Sequence, residues 1–86
     1  MKMEVRITSI VGGETLKAYA SICFDDKFLI KGIRVIDGSN GRFVSMPSRK
    51  SKQGKFYNIC FPITKELRDE IEARVLEEYN KKMEVV

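Results

Sequence analysis

Residues 33–55 read IRVIDGSNGRFVSMPSRKSKQGK, and this stretch contains the signals that decide the fold. An apolar run around Val35 leads into a short segment rich in Asp, Asn and Gly, and a second apolar run follows at residues 43–46. Because Asp, Asn and Gly favour tight turns, we expect two strands joined by a hairpin at residues 37–41. Pro47 has no amide hydrogen to donate to a sheet, so it is expected to end the second strand.

Alternation of apolar and polar residues predicts further strands on both sides of this hairpin. It is clearest in LKAYASICF at residues 16–24, where every second residue is apolar or alanine. The phase of the apolar residues changes near Gly32, which predicts a β-bulge there. Asp25-Asp26-Lys27 separates two apolar runs and suits a tight hairpin. The predicted strands are residues 3–7, 16–24, 28–36, 42–46 and 56–61.

The C-terminal third of the chain has the spacing of one amphipathic helix. Thr64 is a good N-cap, because its hydroxyl can accept a hydrogen bond from the amide of Leu67. An apolar stripe at helical spacing follows, consisting of Leu67, Ile71, Val75, Leu76 and Tyr79. Three favourable i,i+4 ion pairs are expected on the opposite face: Glu70–Arg74, Glu77–Lys81 and Glu78–Lys82. The helix is predicted over residues 64–82, with residues 83–86 frayed.

The expected fold class is α+β, an antiparallel five-stranded β-sheet followed by a C-terminal α-helix packed on one face. The 86 residues form one predicted domain, 1–86, whose core is thin for its surface. The N-terminus has no signal-peptide core and no apolar run is long enough to span a membrane, so a cytoplasmic protein is expected. The chain has no histidine, and Cys23 and Cys60 are far apart. We therefore expect no metal, no cofactor and no enzymatic activity.

The net charge of +4 is concentrated in one part of the chain. Five positive residues and no acid lie between residues 42 and 55, a pattern typical of a surface that binds a polyanion. The candidate phosphate contacts are Arg42, Arg49, Lys50, Lys52 and Lys55. A solvated loop without a ligand is the alternative interpretation of the same residues. The helix start is a second candidate anion site, because Lys65 and Arg68 flank its unpaired amides, although an ordinary capped helix would look the same.

Aromatic residues add a further candidate for nucleic-acid contact. Exposed rings can stack on unpaired bases, and Tyr19 and Tyr57 are the rings expected to be exposed. Phe43 and Phe61 lie in apolar runs and are expected in the core.

The chain resembles the SpoVG family (stage V sporulation protein G). The resemblance rests on IRVIDGSNGRFVSMPS at residues 33–48, the basic segment after it, Gly54-Lys55-Phe56, Pro62-Ile63 and VLEEY at residues 75–79. It implies a bacterial cytoplasmic regulator, linked to septation and sporulation, that binds DNA and in some members RNA. It also implies a homodimer joined through the β-sheet. The family's basic stretch falls here on Arg49, Lys50, Lys52 and Lys55, and its region of binding specificity falls on Lys65 and Arg68.

Two functional hypotheses follow from these observations. The first is a dimeric regulator that binds nucleic acid through the basic segment and the helix start. The second is a non-enzymatic protein–protein adaptor in division septum assembly, with the basic segment docking an acidic partner or an anionic lipid surface. Charge alone does not identify the polyanion, so the residues themselves leave both hypotheses open.

Overall fold

The structure is a computed structural model that describes residues 1–84. Four antiparallel strands form the main sheet in the order β1-β2-β3-β4. Their bounds are Met3–Ile10 for β1, Leu16–Phe24 for β2, Phe28–Gly38 for β3 and Gly41–Ser45 for β4. Two short strands, Ser48–Lys50 (β5) and Phe56–Asn58 (β6), form a separate two-stranded sheet, and the helix Lys65–Glu84 (α1) completes the fold. The α+β class and the antiparallel pairing are confirmed.

Both predicted hairpin turns in the main sheet are confirmed. The β2–β3 turn has positive φ at Asp25 (52°) and Asp26 (55°), and the Lys27 amide donates to the Phe24 carbonyl at 2.9 Å. Two successive positive φ angles define a type I′ turn, whose twist matches that of the flanking strands. In the β3–β4 turn Gly38 pairs with Gly41, so the loop has two residues.

The predicted bulge at Gly32 is also confirmed. Ala20 pairs with Ile33 and Ile22 pairs with Ile30, so Ser21 lies opposite two residues of β3. Gly32 has a φ of +81°, a conformation that favours glycine. The extra residue restores the apolar side chains of β3 to the face that the helix covers.

The helix packs on one face of the main sheet, as predicted. Thr64 caps it, since its Oγ1 accepts a hydrogen bond from the Leu67 amide at 3.2 Å. Ile71, Val75 and Tyr79 are buried, and Leu67 and Leu76 pack at the margin of the same core. The buried apolar residues contributed by the sheet are Met3, Val5, Ala18, Ala20, Ile22, Ile33 and Val35.

The prediction of one five-stranded sheet is wrong. The predicted fifth strand, 56–61, ends at Asn58 and pairs with Ser48–Lys50 instead of joining the main sheet. Pro47 ends the strand pairing after β4. The side chains of β6 are exposed, so this strand has no apolar face that could pack on the core. The basic segment is therefore partly a strand, which the sequence pattern did not indicate.

Three smaller predictions also need correction. Phe43 and Phe61 are 43% and 57% exposed and do not belong to the core. Phe43 is next to Val44, which packs against the core, so Phe43 points to the face of the sheet that the helix does not cover, and Phe61 lies in the connection between β6 and the helix. The helix continues through Glu84, so residues 83 and 84 are helical, and residues 85–86 lie outside the described part. Lys81 contacts both Glu77 and Glu78, at 3.1 and 3.6 Å, and replaces the expected Glu78–Lys82 pair. No helix within residues 1–84 is long and apolar enough to cross a membrane.

Candidate nucleic-acid interface

The basic segment forms an ordered structure, which we call the basic hairpin and define as residues 48–58. Its paired residues are Ser48 with Asn58, Arg49 with Tyr57, and Lys50 with Phe56. Because neighbouring strand residues point to opposite faces, Arg49 and Tyr57 share one face of the ribbon. Ser48, Lys50, Phe56 and Asn58 share the other face. The hairpin thus presents a cation and an aromatic ring on each of its faces.

The turn of the basic hairpin places two further cations at its tip. The Gly54 amide donates to the Ser51 carbonyl at 3.0 Å, and the Ser51 amide donates to the Lys55 carbonyl at 2.7 Å. Gly54 has a φ of +85°, so the loop is a turn followed by a left-handed residue, a common three-residue hairpin connection. The Ser51 hydroxyl adds a bond from the Lys55 amide at 3.1 Å. These bonds fix the backbone that carries Lys52 and Lys55.

Two contacts attach the basic hairpin to the main sheet. Arg34 on β3 donates through Nη2 to the Ser45 hydroxyl at 3.1 Å and to the Ser48 hydroxyl at 2.9 Å. Pro47 lies over the bulge, where its Cβ would be 3.9 Å from a Cβ built on Gly32. A Cβ at Gly32 would thus make only an ordinary van der Waals contact with Pro47, so it is the positive φ of +81° and not a lack of space that favours glycine there.

Arg42, the first of the predicted phosphate contacts, already interacts with other groups of the protein. Its Nε lies 2.6 Å from Asp37 Oδ1, and its guanidinium lies 4.9 Å from the centre of the Tyr79 ring. The hydrogen bond from Arg42 is the main cause of the lowered pKa of the Asp37 carboxyl. It also raises the pKa of Arg42. Arg42 thus joins the β3–β4 hairpin to the helix, on the face of the sheet that the helix covers.

The two candidates at the helix start differ in their surroundings. Lys65 forms an ion pair with Asp69 at 2.7 Å, so its charge is neutralised locally. Arg68 lines a groove of about 370 Å³ that also includes Asn58 of β6 and Phe61. Arg68 is therefore the helix-start residue that shares a surface with the basic hairpin.

The remaining cations of the predicted site have no acidic partner. Within residues 1–84, no carboxylate oxygen lies within the 4.0 Å ion-pair distance of Arg49, Lys50, Lys52, Lys55 or Arg68. The sequence explains this result for the hairpin, because residues 38–65 contain no Asp or Glu. These side chains carry uncompensated positive charge and are free to contact an anion.

The sequence interpretation missed Arg34. It lies between the buried residues Ile33 and Val35, so it faces away from the helix, and it is half-buried. Its partner in the sheet is Ser45 on β4. Counting back from the predicted turn at residues 37–41 pairs Arg34 with Val44, one residue away from the observed partner, because the actual loop has two residues. An arginine between two buried apolar residues indicates a charged side chain on the opposite face of the strand.

Comparison with known protein families identifies the chain. The SpoVG family model matches residues 1–81. The chain belongs to the SpoVG family. A family relative from Treponema denticola is 49% identical over 78 residues, covering 91% of this chain and 84% of the relative. A relative from Archaeoglobus fulgidus is 46% identical over 76 residues, covering 88% and 89% respectively. Each of these SpoVG relatives carries the name "Putative septation protein SpoVG". The resemblance stated from the sequence is confirmed.

Proposed function

We propose that this SpoVG-family chain is a non-enzymatic regulator, associated with septation and sporulation, that binds nucleic acid as a homodimer. The observation that supports this proposal is the basic hairpin, which presents four cations without an acidic partner on an ordered two-stranded ribbon. DNA is the first candidate ligand and RNA the second. The septation role follows the names of the relatives.

The basic hairpin would act mainly through phosphate contacts. Each lysine or arginine that neutralises a phosphate releases a condensed counterion, so affinity falls as salt rises. For duplex DNA the logarithm of affinity changes by about −0.9 per contact against the logarithm of salt concentration, so four contacts give a slope of about −3.6. Such contacts position the protein on the backbone but carry no sequence information. Arg68, in the groove beside β6, is the residue placed to add contacts beyond the backbone.

A salt-series titration tests this proposal. Lys52→Gln with Lys55→Gln should lower affinity for duplex DNA and reduce the salt slope by about 1.8, the value for two lost contacts. The matched control is Lys27→Gln with Lys31→Gln, which removes the same charge from exposed positions at the β2–β3 turn and on β3. Equal effects of the two double substitutions would show that binding depends on the net charge of the protein and not on the basic hairpin. No binding by the unaltered protein would refute nucleic-acid binding and favour the septum adaptor.

Exposed apolar side chains support the homodimer. Phe28 on β3 is 63% exposed, Phe61 is 57% exposed, and both line an apolar groove that also includes Leu67. Ile59 and Ile63 lie close to Phe61 in the chain and are 63% and 89% exposed. A cluster of exposed apolar side chains is typical of an interface. A second copy of the chain would bury these side chains and so supplement the small core of the monomer.

The oligomeric state can be tested by sedimentation equilibrium. Phe61→Asp should shift the protein towards monomer, because the charge would have to be buried in the interface. Val11→Asp is the control, since Val11 is 46% exposed and lies between β1 and β2, outside the groove. A monomeric unaltered protein would contradict the dimer without affecting the evidence for the basic hairpin.

A further inference from the structure

A third groove lies between the main sheet and the basic hairpin, on the side of β3 that the helix does not cover. We call it the Arg34 groove. It has a volume of about 390 Å³ and is open to solvent. Its lining residues are Arg34, Ser45, Ser48, Phe56, Tyr57 and Asn58. The lining combines one cation, two hydroxyls, one amide and aromatic residues.

The positive charge in this groove is not balanced by an acid. Within residues 1–84 no carboxylate lies within the 4.0 Å ion-pair distance of the Arg34 guanidinium. Asp37, the nearest acid along the chain, is already bound to Arg42 at 2.6 Å and lies 3.7 Å from Lys17. A half-buried charge that lacks a counterion is costly, and an anion that entered the groove would offset that cost.

Arg34 also keeps hydrogen-bonding capacity for such an anion. Its two bonds to protein groups, to Ser45 and Ser48, both come from Nη2. Among the described residues Nε and Nη1 donate to no acceptor, which leaves three N–H groups of the planar guanidinium. The Ser48 hydroxyl accepts from Arg34 and can still donate its own hydrogen, whereas the Ser45 hydroxyl already donates to the Met46 carbonyl at 3.5 Å. This set of donors matches the oxygens of a phosphate group.

An exposed aromatic ring lies beside these donors. Phe56 is 69% exposed and shares a face of the ribbon with Ser48, the hydroxyl that Arg34 contacts. Lys50 Nζ lies 5.8 Å from the centre of the ring. An exposed phenylalanine contributes little to the stability of the free protein, but the face of its ring can stack on a nucleobase.

We propose that the Arg34 groove binds one nucleotide of a single-stranded nucleic acid. The phosphate accepts hydrogen bonds from Arg34 and Ser48, and the base stacks on Phe56. In a duplex both faces of a base are already stacked on neighbouring bases, so the Phe56 ring can stack on a base only when that base is unpaired. This inference rests on the proposed function and extends it, because it predicts that the protein prefers single strands over duplex.

The test compares Phe56→Leu with Phe43→Leu as its matched control. Phe43 is also an exposed ring, 43% accessible, and lies on β4 outside the lining of the Arg34 groove. Fluorescence anisotropy would measure affinity for a short oligothymidine and for a duplex of equal length. Phe56→Leu should weaken single-strand binding about tenfold, with an unchanged salt slope, because stacking is lost and phosphate contacts are kept. Phe43→Leu should change single-strand binding much less, and neither substitution should change duplex binding.

A second measurement addresses the phosphate directly. Arg34→Gln should reduce the single-strand salt slope by about 0.7, the value for one contact. In the unaltered protein the NMR signal of the Arg34 Nε–H group should shift when oligothymidine is added. An unmoved signal, or equal losses from Phe56→Leu and Phe43→Leu, would overturn the nucleotide site.

The outcomes separate this inference from the function on which it rests. Binding to duplex without any preference for single strands would overturn the Arg34 groove as a nucleotide site and leave the basic hairpin intact. Failure of the unaltered protein to bind either probe would overturn both.

Discussion

Gly54→Ala should loosen the basic hairpin without unfolding the domain. Gly54 has a φ of +85°, and the nearest atom to a Cβ built there is Lys50 Cε at 3.8 Å. A methyl group therefore fits, and the cost is that of holding alanine in a left-handed conformation, about 1–2 kcal/mol. Because the three-residue strands β5 and β6 bury few apolar groups, this cost should appear as local opening.

Amide hydrogen exchange measures that opening. A cost of about 1–2 kcal/mol corresponds to exchange about 5–30 times faster at the Ser51 and Lys55 amides, while the amides of β2 should be unaffected. Gly12→Ala is the matched control, since Gly12 also has positive φ (+70°), has open space around it, and lies in the β1–β2 connection. Unchanged exchange at Ser51 and Lys55 would refute the hairpin geometry. Equal acceleration by Gly12→Ala would show that the effect is not local.

Three further predictions concern the domain itself. Ile33 is fully buried, so Ile33→Ala should lower the free energy of unfolding by about 2–5 kcal/mol in denaturant titrations, and Ile33→Val by about 0.5–1.5 kcal/mol. Arg42→Gln should lower the free energy of unfolding by about 1 kcal/mol but change DNA affinity about twofold or less. A larger loss of affinity would show that Arg42 contacts the nucleic acid. The lowered pKa of Asp37 stabilises the fold above its unfolded-state pKa of about 3.9, and this stabilisation is lost as pH falls through the folded pKa. Stability of the unaltered protein should therefore fall more steeply below about pH 4 than that of Asp37→Asn.

Local chemistry explains why most of the main sheet was predictable from sequence. The Asp25-Asp26 turn, the glycines of the β3–β4 turn and the phase change at Gly32 each depend on residues close together in the chain. The helix was predictable for the same reason, since its cap and its apolar stripe are local patterns.

The second sheet was not predictable in this way. β5 and β6 have three residues each and no alternating apolar pattern, and the hydrogen bond that joins Ser48 to the main sheet comes from Arg34, which lies 14 residues earlier in the chain. The exposure of Phe43 was missed because an apolar residue does not reveal whether its face of the sheet is covered, and that of Phe61 was missed because the predicted fifth strand ends at Asn58.

The candidate site was predictable only as a list of cations. The sequence shows that residues 38–65 lack acids, which is why the charges of the basic hairpin remain unpaired. It does not show directly that Asp37 neutralises Arg42 across the β3–β4 hairpin or that Asp69 neutralises Lys65. Arg34 became a candidate only when its neighbours in space, Ser45 and Ser48, were known.

The most direct test of the central claim is an NMR titration of the isotope-labelled protein with a short DNA. Binding through the basic hairpin predicts that the largest amide shifts occur at Arg49, Lys52 and Lys55, and that these shifts weaken as salt is raised. Shifts confined to β1 and the C-terminal half of α1, with the amides of the basic hairpin unmoved, would contradict the claim.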